Sequence, residues 1–163
     1  MPAKSKKIPM RGFSQSLPMA LLRAREAVMR RFRPGLRDQG VTEQQWRILR
    51  ALAHAGSLEV TALAEATFLL APSLSRILPD LESRGLISRR QMDSDLRRAI
   101  VSLEPKGLKL IAAHAPNSEE TYDYIARSFG RERLDQLFTL LRELEETLAA
   151  EDATAPNRKR AQR

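Results

Sequence analysis

The sequence predicts a mostly α-helical fold with one small β-hairpin: four helices, a two-stranded hairpin, then two long helices. Three observations predict it. Apolar side chains recur at the ~100° spacing of a helix through residues 14–85. From residue 86 to residue 103 that period gives way to strand-like alternation. From residue 104 the helical period returns, now with the 3-4 spacing of an association seam.

Residues 14–37 read as a long helix, with Ser16 as its cap and Pro18 in its first turn. Leu17, Leu21, Leu22, Val28, Met29, Phe32 and Leu36 make one apolar stripe, and Gly40 ends the unit. Thr42-Glu43-Gln44-Gln45 is a capping box, a Thr followed three residues later by a Gln. The helix it opens buries Trp46, Leu49, Leu52 and Ala53 and stops at Gly56. A short helix follows, with Val60, Leu63 and Ala64 inside. Ala71-Pro72-Ser73 opens the next, with Leu74, Ile77, Leu78 and Leu81 inside and Arg84-Gly85 closing it. Leu69-Leu70-Ala71 offers that helix no side-chain cap. Pro79 in its interior predicts a bend or an early end, because it lacks an N–H and crowds the carbonyl of Ser75.

Ile87, Ser88 and Arg89 begin a strand, and Asp93-Ser94-Asp95 is turn chemistry. Ala99, Val101 and Leu103 alternate along the return strand. Glu104-Pro105 starts a long helix with Leu108, Ile111, Ala115, Ser118, Tyr122, Ile125 and Phe129 in one seam, and Pro116 predicts a kink or break in it. After Gly130, a last helix repeats Leu134, Leu137, Leu141, Leu144 and Leu148. Two heptad-like helices predict association between chains. Gly35, Gly40, Gly56 and Gly85 read as helix punctuation. Three short helices followed by a hairpin make a winged helix-turn-helix. The expected organisation is a basic disordered arm at 1–13, a helical dimerisation module from 14–41 and 104–150, a winged helix-turn-helix DNA-binding domain at 42–103 and a disordered basic tail at 151–163.

Composition narrows the function. At 163 residues and 42% apolar, the chain is long enough for one compact unit with a real core. No apolar run approaches the ~20 residues of a membrane span, and the basic N-terminus lacks the apolar stretch of a secretory signal. The absence of cysteine excludes a disulfide scaffold, a thiolate metal site and a Cys nucleophile. These features fit the cytosol. The net charge of +8 points to a polyanionic partner. Residues 1–13 and 14–41 carry +4 each, whereas 104–150 carry −3. All eight cations in 42–103 are Arg, whose planar fork suits phosphates and base edges.

Three segments carry a family resemblance: T-E-Q-Q-W-R-I-L-R-A-L-A, A-P-S-L-S-R-I-L-P-D-L-E-S-R-G-L-I-S-R-R and D-S-D-L-R-R-A-I-V-S-L-E-P-K-G. Together, over roughly residues 14–150, they resemble the MarR family of bacterial winged-helix transcription regulators. S-L-P-M-A-L-L-R-A-R-E and L-A-P-S-L-S-R-I-L are similar, within that family, to repressors of homoprotocatechuate (4-hydroxyphenylacetate) catabolic operons. The resemblance implies an obligate homodimer on a palindromic double-stranded operator. It also implies release by a small aromatic carboxylic acid, and the subfamily likeness narrows this to hydroxyphenylacetates such as 3,4-dihydroxyphenylacetate; no cofactor is expected.

The residues fit such a role. At the N-terminal end of the 71–85 helix, Pro72, Ser73, Ser75 and Arg76 fall outside the apolar face. That end enters the major groove in a helix-turn-helix, where Arg76 can take guanine O6 and N7. At the hairpin tip Arg97 can enter the minor groove, with Asp95 holding its guanidinium. Arg89, Arg90 and Arg98 suit phosphates.

Arg25 falls in the middle of the first helix's apolar stripe, flanked by Phe32 and Leu36. A buried arginine must meet an acid, a set of carbonyls or a ligand carboxylate. Both an internal salt bridge and an effector site satisfy that demand. Met19, Leu22, Trp46 and His54 are the candidate walls of such a site, although Trp46 also suits the core. His54 and His114 are too few and too far apart for a metal site. No Ser–His–Asp order, paired carboxylates or phosphate-cradling glycine loop suggests an enzyme. The leading reading is a ligand-responsive repressor of an aromatic-acid catabolic operon. The alternative is a winged-helix protein–protein adaptor, which predicts weak, salt-insensitive DNA binding.

Overall fold

The computed structural model describes residues 12–92 and 95–154. Six helices and a three-stranded sheet appear in it: α1 (Leu17–Asp38), α2 (Glu43–Ala55), β1 (Ser57–Glu59), α3 (Val60–Thr67), α4 (Ala71–Ser83), β2 (Ile87–Met92), β3 (Asp95–Leu103), α5 (Pro105–Phe129) and α6 (Arg131–Thr154). A 3-10 turn, Phe13–Gln15, precedes α1. The chain divides into two compact units, Met1–Ser118 and Glu119–Arg163.

The capping box at α2 forms as the sequence predicts. The Gln45 backbone N–H donates to Thr42 Oγ1 at 3.2 Å, and the Thr42 N–H donates to Gln45 Oε1 at 2.8 Å. Such a cap stabilises a helix by about 1 kcal/mol. Ser16, by contrast, makes no side-chain cap at α1. Leu70 caps α4 with backbone alone.

The core of the first unit gathers Ile48, Leu49 and Leu52 of α2, Leu63 of α3, Leu74, Leu78 and Leu81 of α4, and Val101 of β3. Ile48 belongs to it, whereas Ala53 is exposed. A helix stripe is broad enough that only one of two neighbouring apolar positions need face inward. Arg84-Gly85 ends α4 as expected. Gly85 adopts φ +69, and the Leu86 N–H returns to the Leu81 carbonyl at 3.0 Å.

Several expectations are corrected. The sheet has three strands, ordered β1-β3-β2, with β1 antiparallel to β3 through Leu58 opposite Val101. Three residues are too few to show a period. Helix α4 continues past Pro79 to Ser83, and α5 runs through Pro116. Flanking turns hold each helix where the proline removes a single hydrogen bond. Helix α6 extends to Thr154, so residues 151–154, expected in the tail, are helical; Ala149, Ala150 and Ala153 are strong helix formers. Of the expected arm at 1–13, Phe13 belongs to the 3-10 turn, and the Gly12 carbonyl accepts from the Gln15 N–H. Residues 1–11 and 155–163, and Asp93 and Ser94 of the expected turn, lie outside the described residues.

Gly35 is not punctuation. It is buried inside α1, where a β-carbon would overlap the Asn117 side chain and stand 2.8 Å from His114 Cε1. Its missing side chain admits the α5 side chains to the surface of α1. Gly107 does the same service at the start of α5, where a β-carbon would overlap the Leu86 carbonyl.

Candidate functional site

The helix-turn-helix is built at the junction of α3 and α4. Thr67 ends α3 with its hydroxyl donating to the Leu63 carbonyl at 2.5 Å. Phe68 then takes the left-handed conformation, φ 52, and the chain turns into α4. Burial of Leu74, Ile77, Leu78 and Leu81 fixes the roll of α4. Pro72, Ser75, Arg76, Pro79 and Ser83 are left on its exposed side, and Ser73 is half-buried. Among the described residues, Arg76 has no ion-pair partner, so its guanidinium stays available.

The wing is tied to this helix. Glu82 of α4 accepts from Arg89 three times: from the backbone N–H at 3.1 Å, from Nε at 2.8 Å and from Nη2 at 2.5 Å. These bonds from Arg89 hold the Glu82 carboxyl below the usual carboxylate range. On the other side of the sheet, Arg98 donates through Nε to Glu59 Oε2 at 3.0 Å and also through Nη2. Arg89 and Arg98 are therefore engaged with acids, and a phosphate would have to share them. Arg90 is exposed. The side chains of Asp95 and Arg97 lie outside the described residues.

A second cluster lies where α1 meets α2. The stripe predicts a buried Arg25 in need of an anion. The structure leaves its side chain 42% exposed and supplies two acids, Glu26 at 3.2 Å and Glu43. The stripe fails as a guide here because Leu21, Leu22 and Val28 are themselves exposed in the single chain. Arg33 reaches Glu43 at 3.2 Å and Glu26 at 2.9 Å. Its hydrogen bond is the main reason the Glu26 carboxyl lies below its ordinary range. Arg47 reaches Glu43 at 3.3 Å and donates to the Thr67 carbonyl at 2.8 Å. Among the described residues three guanidiniums thus pair with two carboxylates, and Arg30 adds its field at Glu26, so positive charge is in excess.

Trp46 lies one turn after Glu43 and is half-buried. Its indole stands edge-on to the imidazole of His114, which is buried with no partner at Nε2 among the described residues. Met19 is half-buried and Leu22 exposed. His54 is exposed near the end of α2, two turns beyond Trp46. Sequence reasoning missed Arg33, Glu26, Glu43 and His114. The Arg33–Glu26 spacing of seven, two helical turns, was the one available signal. Among the described residues no group of three or more His, Asp or Glu could hold a metal ion, and no helix is long and apolar enough to cross a membrane.

A short three-helix unit with a hairpin packed on its recognition helix defines a winged helix-turn-helix regulator. The MarR family model matches residues 41–99. The chain is 40% identical over 137 residues to the HTH-type transcriptional regulator FarR of Neisseria gonorrhoeae, covering 84% of this chain and 94% of that one. It is 41% identical to the homoprotocatechuate degradative operon repressor of Escherichia coli, covering 78% and 86%. Among solved structures, NadR in complex with 4-hydroxyphenylacetate is 40% identical with a TM-score of 0.71, covering 84% and 97%. The repressor CouR bound to a 23-mer DNA duplex is 27% identical with a TM-score of 0.74, covering 85% and 99%. The chain belongs to the MarR family of transcriptional regulators, which are not enzymes.

Proposed function

We propose that this chain is a cytoplasmic, ligand-responsive repressor that binds a palindromic operator as a homodimer and leaves it when a hydroxyphenylacetate-type acid binds. The observation that carries this is the charge arrangement. Arg76 has no ion-pair partner among the described residues on the outward side of α4, and the α1–α2 cluster near Trp46 holds more guanidiniums than carboxylates. In this reading residues 42–103 engage DNA. Arg76 reads a base, Pro72, Ser73 and Ser75 line the groove, Arg90 takes a phosphate, and Arg97 enters the minor groove with Asp95 as its brace. Arg89 and Arg98 contact phosphates while Glu82 and Glu59 keep them in place.

Residues 14–41 and 104–150 associate. Leu17, Leu21 and Leu22 of α1 and Leu137, Phe138, Leu140 and Leu141 of α6 are exposed apolar side chains in the single chain, and a second copy would cover them. The acid competes with Glu43 for Arg25, with its ring against Trp46 and with Met19, Leu22 and His54 as further walls. The relatives support this reading, since one carries 4-hydroxyphenylacetate and another is a homoprotocatechuate operon repressor. The test is selection from a random-sequence duplex pool. Convergence on a palindrome, with affinity falling steeply with salt, is the expected result. Weak, salt-insensitive binding without convergence would instead make the chain an adaptor.

A further inference from the structure

We infer that the recognition helix reads thymine methyl groups through Pro72 and Pro79, on either side of the base taken by Arg76. This rests on the DNA-binding reading above and extends it to the chemistry of the bases.

The argument starts from which polar groups on the exposed side of α4 remain available. Asp80 is turned back onto the protein, accepting from Gln45 Nε2 at 2.7 Å and pairing with Arg84 at 3.5 Å. Ser83 donates its hydroxyl to the Asp80 carbonyl at 2.8 Å. Glu82 is taken up by Arg89. Of the polar side chains exposed on α4, Ser75 and Arg76 alone are without a hydrogen bond among the described residues. Hydrogen-bonded readout of base edges by this helix therefore centres on these two adjacent residues, with half-buried Ser73 beside them.

Two prolines supply the apolar part of the outward ridge, beside Ser83, whose hydroxyl is turned to the Asp80 carbonyl. At ~100° per residue, Pro72 and Pro79 lie within about 20° of one line, opposite the Leu74–Leu81 face, with Ser75 and Arg76 to either side. Both prolines are exposed. Seven residues separate them, about 10.5 Å along the axis, close to three base-pair rises of B-DNA. Pro79 packs no core and removes a hydrogen bond from the helix that carries it. What its ring presents is a rigid apolar surface on the side that faces the groove. The major groove displays one apolar feature, the C5-methyl group of thymine. A ridge of proline, arginine and proline matches a site in which thymines flank a guanine.

The experiment uses the full-length protein and the duplex it selects from a random pool. Each thymine in turn is replaced by deoxyuridine, which keeps base pairing and removes only the methyl group. The parent protein should lose about fourfold in affinity at one or more thymines per half-site, the equivalent of one buried methyl group. Pro79→Ser and Pro72→Ser should each abolish the effect at one such position. Pro79→Thr, which restores a methyl, should return part of it. Circular dichroism checks the fold, which Pro79→Ser should keep because it removes a helix-interior proline. Affinity unchanged within twofold at every thymine overturns the inference while leaving DNA binding intact. Methyl sensitivity that persists in both serine variants overturns it as well. Failure to select any sequence removes both this inference and the reading beneath it.

Discussion

The imidazole of His114 meets the indole of Trp46 edge-on, with 4.7 Å between ring centroids and 79° between planes. This contact joins α5 to α2 beside the guanidinium cluster. His114 is 1% exposed, and among the described residues its Nε2 has no hydrogen-bond partner. Burial pushes the imidazole below its ordinary value of 6.5, so the folded chain favours the neutral ring.

Stability should therefore depend on pH in a definite direction. Well above pH 6.5 the ring is neutral in both states. As pH falls through that value the unfolded chain takes up the proton first, and stability declines until the folded ring protonates too. Thermal melts of the parent between pH 7.5 and pH 5.5 should show this loss. His114→Leu should flatten it. An equal decline in the variant would assign the pH dependence to other groups.

Gly35→Ala separates two opposing effects by sign. In an unobstructed helix interior alanine is favoured over glycine by about 1 kcal/mol. Here the new β-carbon overlaps Asn117, and overpacking of this kind costs about 1–3 kcal/mol. The expected result of chemical denaturation is net destabilisation, relieved in the Gly35→Ala, Asn117→Ala double variant. A more stable single variant would mean that α1 and α5 stand further apart than the structure has them.

Much of the fold was legible because its signals are local. The Thr42–Gln45 box, the Arg84-Gly85 stop and the apolar spacing of Leu74, Ile77, Leu78 and Leu81 act within a few residues of themselves. β1 was not legible, since Ser57–Glu59 becomes a strand only when β3 arrives to pair with it. The same holds for the site. Arg76 could be placed from the α4 wheel alone. Arg25 was misjudged because a stripe shows which residues are apolar, not which element covers them. Gly35 and His114 are neighbours only in the folded chain, so neither revealed its role in sequence.

Association should depend on α6. Leu137 is 40% and Leu141 39% exposed in the single chain, at seam positions four apart. Replacing both by Lys should yield monomer or unfolded chain in light scattering at low micromolar concentration. A stable dimer after that change would place the interface elsewhere.

Arg76→Ala should weaken binding to the selected duplex by about 1–3 kcal/mol and relax preference at one base per half-site. Arg97→Ala should weaken binding and flatten any preference for A·T-rich flanks. A mobility-shift series on the duplex and its single-base variants reads both effects. Unchanged affinity in both variants would favour an adaptor.

The most direct measurement is release from DNA. A fluorescently labelled selected duplex, saturated with protein, is titrated with 4-hydroxyphenylacetate while anisotropy is followed. The expected result is a saturable fall to the value of free duplex for the parent, and a complex that persists for Arg25→Leu. A parent complex that stays intact at saturating acid would contradict the account.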